Sequence, residues 1–174
     1  IWFSQKQYNN AIPELLSYYH SISSPRNAGF VYTSLIKANK KAEAFDFMNK
    51  HLERFPDDVI TKAFYAQLAL ELDLNIAQQV YQDLLTERPS NINFLANLAW
   101  VESQLGNHDD AINIANKALA INENQPNIMD TLAMALYAKG NKAEALEILV
   151  YAKELAPKNA AIAKHYAEVV NDKS

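Results

Sequence analysis

Apolar residues recur along this chain at helical spacing, in short stripes broken at regular intervals. Ala28, Val31, Leu35 and Ala38 share one side of a helix. Ala11, Leu15, Tyr18 and Tyr19 do so earlier, and Ile162, Tyr166 and Val170 later. The clearest stretch, 92–159, reads as one unit written twice. Leu98-Ala99 returns as Leu132-Ala133, Gly106-Asn107 as Gly140-Asn141, Ala111 as Ala145 and Ala118 as Ala152, each 34 residues on. Lys41-Ala42-Glu43-Ala44 reappears unchanged as Lys142-Ala143-Glu144-Ala145, in register with the same period. Such a period marks stacked helix–turn–helix units, each unable to bury its own apolar stripe alone.

The breaks between stripes carry turn chemistry. Asn39 stands where Gly106 and Gly140 stand in later units. Asparagine is the residue after glycine best able to take the left-handed conformation that ends a helix, so a left-handed Asn39 is expected. The unit 58–91 is one residue short: Ala77, Tyr81 and Pro89 follow Ala44, Met48 and Pro56 by 33. Its turn, 72–75, has no glycine, and whether Tyr65 or Ala66 makes the small-residue contact stays open. The predicted organisation is a single all-α domain over 1–174. It comprises a partial repeat (1–24), four repeats (25–57, 58–91, 92–125 and 126–159) and a capping helix (160–174) with a more polar outside. About ten helices and no strands are expected.

Composition narrows the function classes. Hydrophobic residues make up 49%, and three Gly and six Pro leave long helices uninterrupted. A net charge of −4 argues against nucleic acid, whose binders carry a basic excess. There is no cysteine for disulfides or thiolate chemistry, no secretory signal, and no apolar run near the roughly 18–20 residues of a membrane span. The chain opens on Ile1 rather than Met, so a longer parent is expected, with any targeting signal upstream. The compartment stays open between envelope and cytoplasm.

Nothing in the sequence assembles a reaction centre. His20, His51, His108 and His165 read as solitary, without a ligand spacing, and are taken as surface or inter-helix histidines. Asp109 and Asp110 fall in the first turn of a helix, where carboxylates favour the dipole. The glycines at 29, 106 and 140 are too scattered to cradle phosphate. The six basic and three acidic residues between Arg26 and Arg54 read as a solvated outer face. No enzyme activity, cofactor or metal is expected.

With these residues in place, the chain resembles the tetratricopeptide repeat family. Met129, Leu132, Ala133, Leu136, Ala145, Leu149 and Pro157 match its pattern of large, small, aromatic and proline positions. Ala28, Val31, Leu35, Ala44, Met48 and Pro56 match in part, as do Leu95, Leu98, Ala99, Ala111 and Ala115. Glu102 and Glu123 depart from it, standing where an aromatic and a proline belong. The resemblance implies a right-handed superhelical solenoid of about four and a half repeats whose first helices line a concave groove. More narrowly, 130–159 is similar to the C-terminal repeats of bacterial tetratricopeptide lipoproteins of exopolysaccharide and protein-sorting systems.

That family fold implies a non-catalytic scaffold holding a peptide or partner protein in its groove. The alternative is a module that self-assembles through its repeats. The groove residues implied are Lys62, Asn93, Ala96, Asn97, Trp100, Asn127, Asp130, Met134 and Tyr137. Trp100 and Met134, one period apart, would stand level on adjacent helices, with Tyr137 a turn beyond. Family members that clamp a chaperone's C-terminal carboxylate need further Lys, Asn and Arg; here Ala66, Asn127 and Thr131 replace them, so that sub-class is not expected. The partners implied are a protein or peptide, without nucleic acid or direct membrane insertion. A homodimer through the N-terminal end is also implied, by apolar surface expected around Trp2, Phe3, Ile12 and Leu15.

Overall fold

The computed structural model describes residues 7–172, and every regular element among them is an α-helix. In order these are α1 (Tyr8–Ser21), α2 (Pro25–Lys37), α3 (Lys41–Arg54), α4 (Val59–Leu72), α5 (Leu74–Glu87), α6 (Ile92–Gln104), α7 (His108–Ile121), α8 (Pro126–Ala138), α9 (Lys142–Leu155) and α10 (Ala160–Asn171). The all-α expectation holds. The chain divides within α5 into two compact units, one running to Val80 and one from Tyr81.

Helix starts follow from their caps. Asp58, Asn91 and Asn159 each stand one residue before a helix, and their side-chain oxygens accept from the first free backbone N–H groups. Pro25 and Pro126 occupy the first turn, where their missing N–H costs nothing. Helix ends follow from the left-handed turns. Asn39, Gly106 and Gly140 have φ of 61°, 83° and 86°, as anticipated for Asn39. In each turn the amide just past the left-handed residue bonds back: Lys40 to the Leu35 carbonyl, Asn107 to Glu102, and Asn141 to Leu136, each at 2.9 Å.

The short unit solves its turn differently. Asp73 is extended, closes α4 through its N–H to the Ala69 carbonyl, and opens α5 by accepting from Asn75 and Ile76. One residue thus serves both helices, which is why this turn needs no glycine and lost a position. Tyr65 and Ala66, left open by the sequence, are both buried.

A measurable consequence concerns Gly140. A Cβ built there meets nothing within 4 Å, so an alanine would suffer only from its positive φ. Gly140→Ala should destabilise by about 1 kcal/mol, whereas Gly29→Ala, at a helical glycine with equally open surroundings, should raise stability by a few tenths to about 1 kcal/mol. Denaturant midpoints of the two variants check the contrast.

Within the first unit the core is built from Ile12 and Tyr19 of α1, Val31 and Leu35 of α2, Ala44 and Met48 of α3, and Tyr65 and Leu68 of α4. Within the second, Leu95, Ala99, Ala115, Ala118, Met129, Leu132 and Ala133 join Ala145, Leu149, Ala152, Ile162 and Val169. The alanines at recurrent positions let helix axes approach to roughly 8–10 Å.

Two local expectations need correction. On α10 it is Ile162 and Val169 that are buried, while Tyr166 is half-buried and Val170 is exposed; its outer side is therefore less polar than expected. On α1, Ile12 is buried and Leu15 half-buried, and the exposed large apolar side chains are Tyr18 and, just past the helix, Ile22. Trp2 and Phe3 lie outside the described residues. Lys142, which opens the repeated Lys-Ala-Glu-Ala motif, is half-buried and its ammonium donates to the Asp172 backbone carbonyl.

Candidate binding faces

In the second unit α6 packs beside α8, and α8 beside α10. The spacing of one period puts Trp100 of α6 and Met134 of α8 at corresponding positions. Leu98, Ala99 and Val101 are buried, yet the Trp100 indole between them is 39% exposed. An exposed tryptophan on a helix whose neighbouring positions are fully packed is not a core residue pointing outward by default; it occupies the face left over after stacking. Asn93, on the same helix, is exposed, Ala96 half-buried, and Met134 half-buried against the core.

Other predicted groove residues already have work within the protein. The Asn97 amide donates to the Tyr81 hydroxyl at 2.8 Å. Tyr81 is among the most deeply buried side chains, and burial pushes its pKa up to about 12, against a smaller opposing effect of the Asn97 bond. Both carboxylate oxygens of Asp130 lie 2.9 Å from Nδ1 of His165 on α10. Asn127 accepts from the Asn159 amide at 3.0 Å. The Tyr137 hydroxyl donates to Asp172 at 2.7 Å, and this bond to a carboxylate, with burial and charge adding to it, raises the phenol's pKa. Asn127, Asp130 and Tyr137 are thus engaged by α10 or the residues capping it, which leaves Trp100 and Asn93 as the open pair. Lys62 belongs to the first unit, half-buried on α4.

The first unit carries a face the sequence reading passed over. Phe30 on α2 and Phe64 on α4 are one period apart, and each is 41% exposed. Ile60, a turn before Phe64, is 69% exposed, the highest value among the large apolar residues described. The Tyr32 ring sits 5.1 Å from that of Phe64. The recurrence Phe30/Phe64 was the available signal: two aromatics at one repeat position that is not a packing position.

Beneath that unit lies a buried polar chain linking three helices. Asp58 caps α4 and accepts from Thr61 through both its backbone N–H (3.2 Å) and its hydroxyl (2.6 Å). His51 on α3 reaches Asp58 through Nε2 at 3.0 Å, and its Nδ1 lies 2.6 Å from the Tyr19 hydroxyl of α1. Burial pushes the Asp58 pKa up, but the Thr61 and His51 bonds outweigh it and hold it below the ordinary carboxylate value. An ionised Asp58 accepts only, so Nε2 carries the imidazole proton and Nδ1 accepts the hydrogen bond that the Tyr19 hydroxyl donates. His51 and His165, read as solitary, both have carboxylate partners. The cap position of Asp58, seven residues after His51, was the legible hint for the first.

Two clefts lie away from these faces. One, of about 340 Å³, runs between α9 and α10 past Val150, Lys153, Pro157 and Tyr166, with the Lys153 ammonium 4.5 Å over the Tyr166 ring. The other, of about 330 Å³, is lined by Pro25, Arg54, Phe55 and Pro56 with Asp57 and Asp58. Among the described residues no three His, Asp or Glu side chains converge as a metal site, and no helix is long and apolar enough to cross a membrane.

The tetratricopeptide repeat family matches residues 73–134. A tetratricopeptide repeat protein of Parabacteroides merdae superposes with a TM-score of 0.84 at 21% identity, over 97% of this chain and 68% of that one. MamA of strain AMB-1 gives 0.78 at 20% identity, over 90% and 94%. A thermophilic repeat protein of Thermus thermophilus gives 0.65 at 19% identity, over 97% and 93%. At these identities the likeness is one of fold. No protein of curated function matches.

Proposed function

We propose that this chain, similar over residues 73–134 to the tetratricopeptide repeat family and in fold to a repeat protein of that kind, is a non-catalytic scaffold that holds a peptide or partner protein on the exposed faces of its first helices. The observation that carries this reading is Trp100: a large amphipathic side chain, exposed on a helix whose neighbouring residues are buried. Aromatic side chains of this kind dominate binding energy where they anchor a partner. Asn93 supplies a polar neighbour on the same helix. Asn127, Asp130 and Tyr137, by contrast, order the surface through α10 rather than reaching for a ligand. The resemblance of 130–159 to envelope lipoproteins supports a place in a bacterial cell-envelope assembly.

The test begins with a pull-down of the full-length protein to identify a partner. Trp100→Ala should then weaken that complex by about 2 kcal/mol or more, roughly thirtyfold in Kd. The melting temperature should barely move, because Leu95, Leu98 and Ala99 still form the packing stripe. Unchanged affinity, or a fold lost with the indole, defeats the anchor role.

A second reading, self-association, draws on the exposed Val150, Tyr151 and Leu155 of α9 and Val170 of α10, apolar side chains that a second copy would cover. Light scattering over a concentration series separates the two, with a constant monomer mass counting against self-association.

A further inference from the structure

One flank of α10 repeats a packing face. Ala163, Tyr166, Ala167 and Val170 stand one period after Met129, Leu132, Ala133 and Leu136 of α8. The four α8 residues are all buried, in a helix that packs against α6, α7, α9 and α10. Their counterparts on α10, which packs on α8 and α9, lack that cover. Ala167 and Val170 are exposed, and Ala163 and Tyr166 are half-buried. The cleft of about 340 Å³ carries the same surface onto α9, past Pro157 and the exposed Val150. Ala163 and Ala167, four residues apart, lie on one face of α10. Side chains this small let another helix axis approach to roughly 8–10 Å. Charge on the surface has both signs. Lys153 and Glu154 are adjacent on the cleft wall, both exposed, and the Lys153 ammonium lies 4.5 Å over the Tyr166 ring. A patch of one sign repels its own copy. A cation beside an anion complements itself, because a two-fold rotation brings each toward the other's counterpart.

We propose that this α9–α10 surface is a two-fold interface, whose occupant is the same surface of a second copy of the chain. The inference rests on the self-association reading and assigns it a face. The two α10 helices cross antiparallel, closest at Ala163 and Ala167. Val170 of each copy enters the cleft of the other, beside Pro157 and Tyr166. Lys153 of each copy lies toward Glu154 of the other. The apolar contact supplies most of the affinity, and the crossed charges fix orientation and register. Because the same patch serves both copies, association closes at the dimer.

The experiment is sedimentation equilibrium of the full chain over a concentration series. The expected result is a monomer–dimer equilibrium that stops at twice the chain mass. Ala167→Arg and Val170→Asp change exposed positions, so both variants should keep their fold, which circular dichroism checks. Each should raise the dimer Kd about tenfold or more. Lys153→Glu and Glu154→Lys should each weaken the homodimer by placing like charges across the axis. Mixed in equal amounts, those two variants should associate more tightly than either does alone. Trp100→Ala should leave the dimer Kd unchanged. A monomer at every concentration overturns the proposal together with the self-association reading. Growth past the dimer overturns it in favour of a head-to-tail contact between different surfaces. A dimer indifferent to Ala167→Arg and Val170→Asp, or one lost on Trp100→Ala, also overturns it. The copies then meet through another face, and the self-association reading stands. A mixture of the two charge variants no tighter than its components overturns the two-fold pairing.

Discussion

Replacing His51 by alanine should cost the first unit about 2–5 kcal/mol, from the cavity it leaves and the hydrogen bond to a carboxylate it removes. The imidazole side chain is wholly enclosed and the Asp58 side chain is 4% exposed, so water cannot replace the lost bond. Three helices depend on the ring: α1 through Tyr19, α3 through the backbone, and α4 through its cap. Its removal leaves a cavity, a phenol without its acceptor, and a carboxylate held by Thr61. His51→Phe fills the cavity but restores neither bond, so it should recover part of the loss. If His51→Ala and His51→Phe melt together near the parent, the chain of hydrogen bonds contributes no stability.

The same site gives stability a pH dependence of known sign. Folding holds the Asp58 pKa below its value in the unfolded chain, near 4. The carboxylate therefore contributes its full stabilisation above roughly pH 4. That contribution is lost as the pH falls from there through the depressed folded value. Urea unfolding between pH 7 and 3 should show the loss in the parent and a flatter profile in Asp58→Asn, whose side chain does not ionise. Parallel profiles would contradict the assignment.

Enlarging Ala145 is the second large effect expected. Ala145 is fully buried in the second unit's core, at the position held by Ala44, Ala77 and Ala111 in other repeats. These four alanines have no exposed surface, so a leucine has no space to enter without moving a helix. Overpacking of this kind costs about 1–3 kcal/mol. Ala143, two residues earlier and exposed on the same helix, is the appropriate control; Ala143→Leu should stay within about 0.5 kcal/mol. Lys142 would mislead as a control because of its bond to the Asp172 carbonyl. Equal losses at 143 and 145 in thermal melts would mean the faces of α9 are misassigned.

What could be read from the sequence was what is local or repeated. The period placed the turns, and the left-handed demand at Asn39, Gly106 and Gly140 followed from residue type and position alone. Capping at Asp58, Asn91 and Asn159 is local in the same sense, joining a side chain to amides two or three residues on. The recurring alanines announced close helix packing because only a small residue permits it.

What only the tertiary structure decided was pairing between residues about one period apart. His51 looked solitary because Tyr19 lies 32 residues before it on another helix. The sequence holds no sign that His165, Asn159 and Asp172 come alongside Asp130, Asn127 and Tyr137, three of the residues the resemblance places in the groove. Exposure on the first-helix face was equally hidden, since an apolar residue there obeys the same helical spacing whether a neighbouring helix covers it or not. A repeat fixes which positions stack, because stacking is what the period encodes. It leaves the remaining positions free of packing demands, and Trp100, Ile60 and Phe64 stand at three of them, exposed because no helix of their own unit covers them.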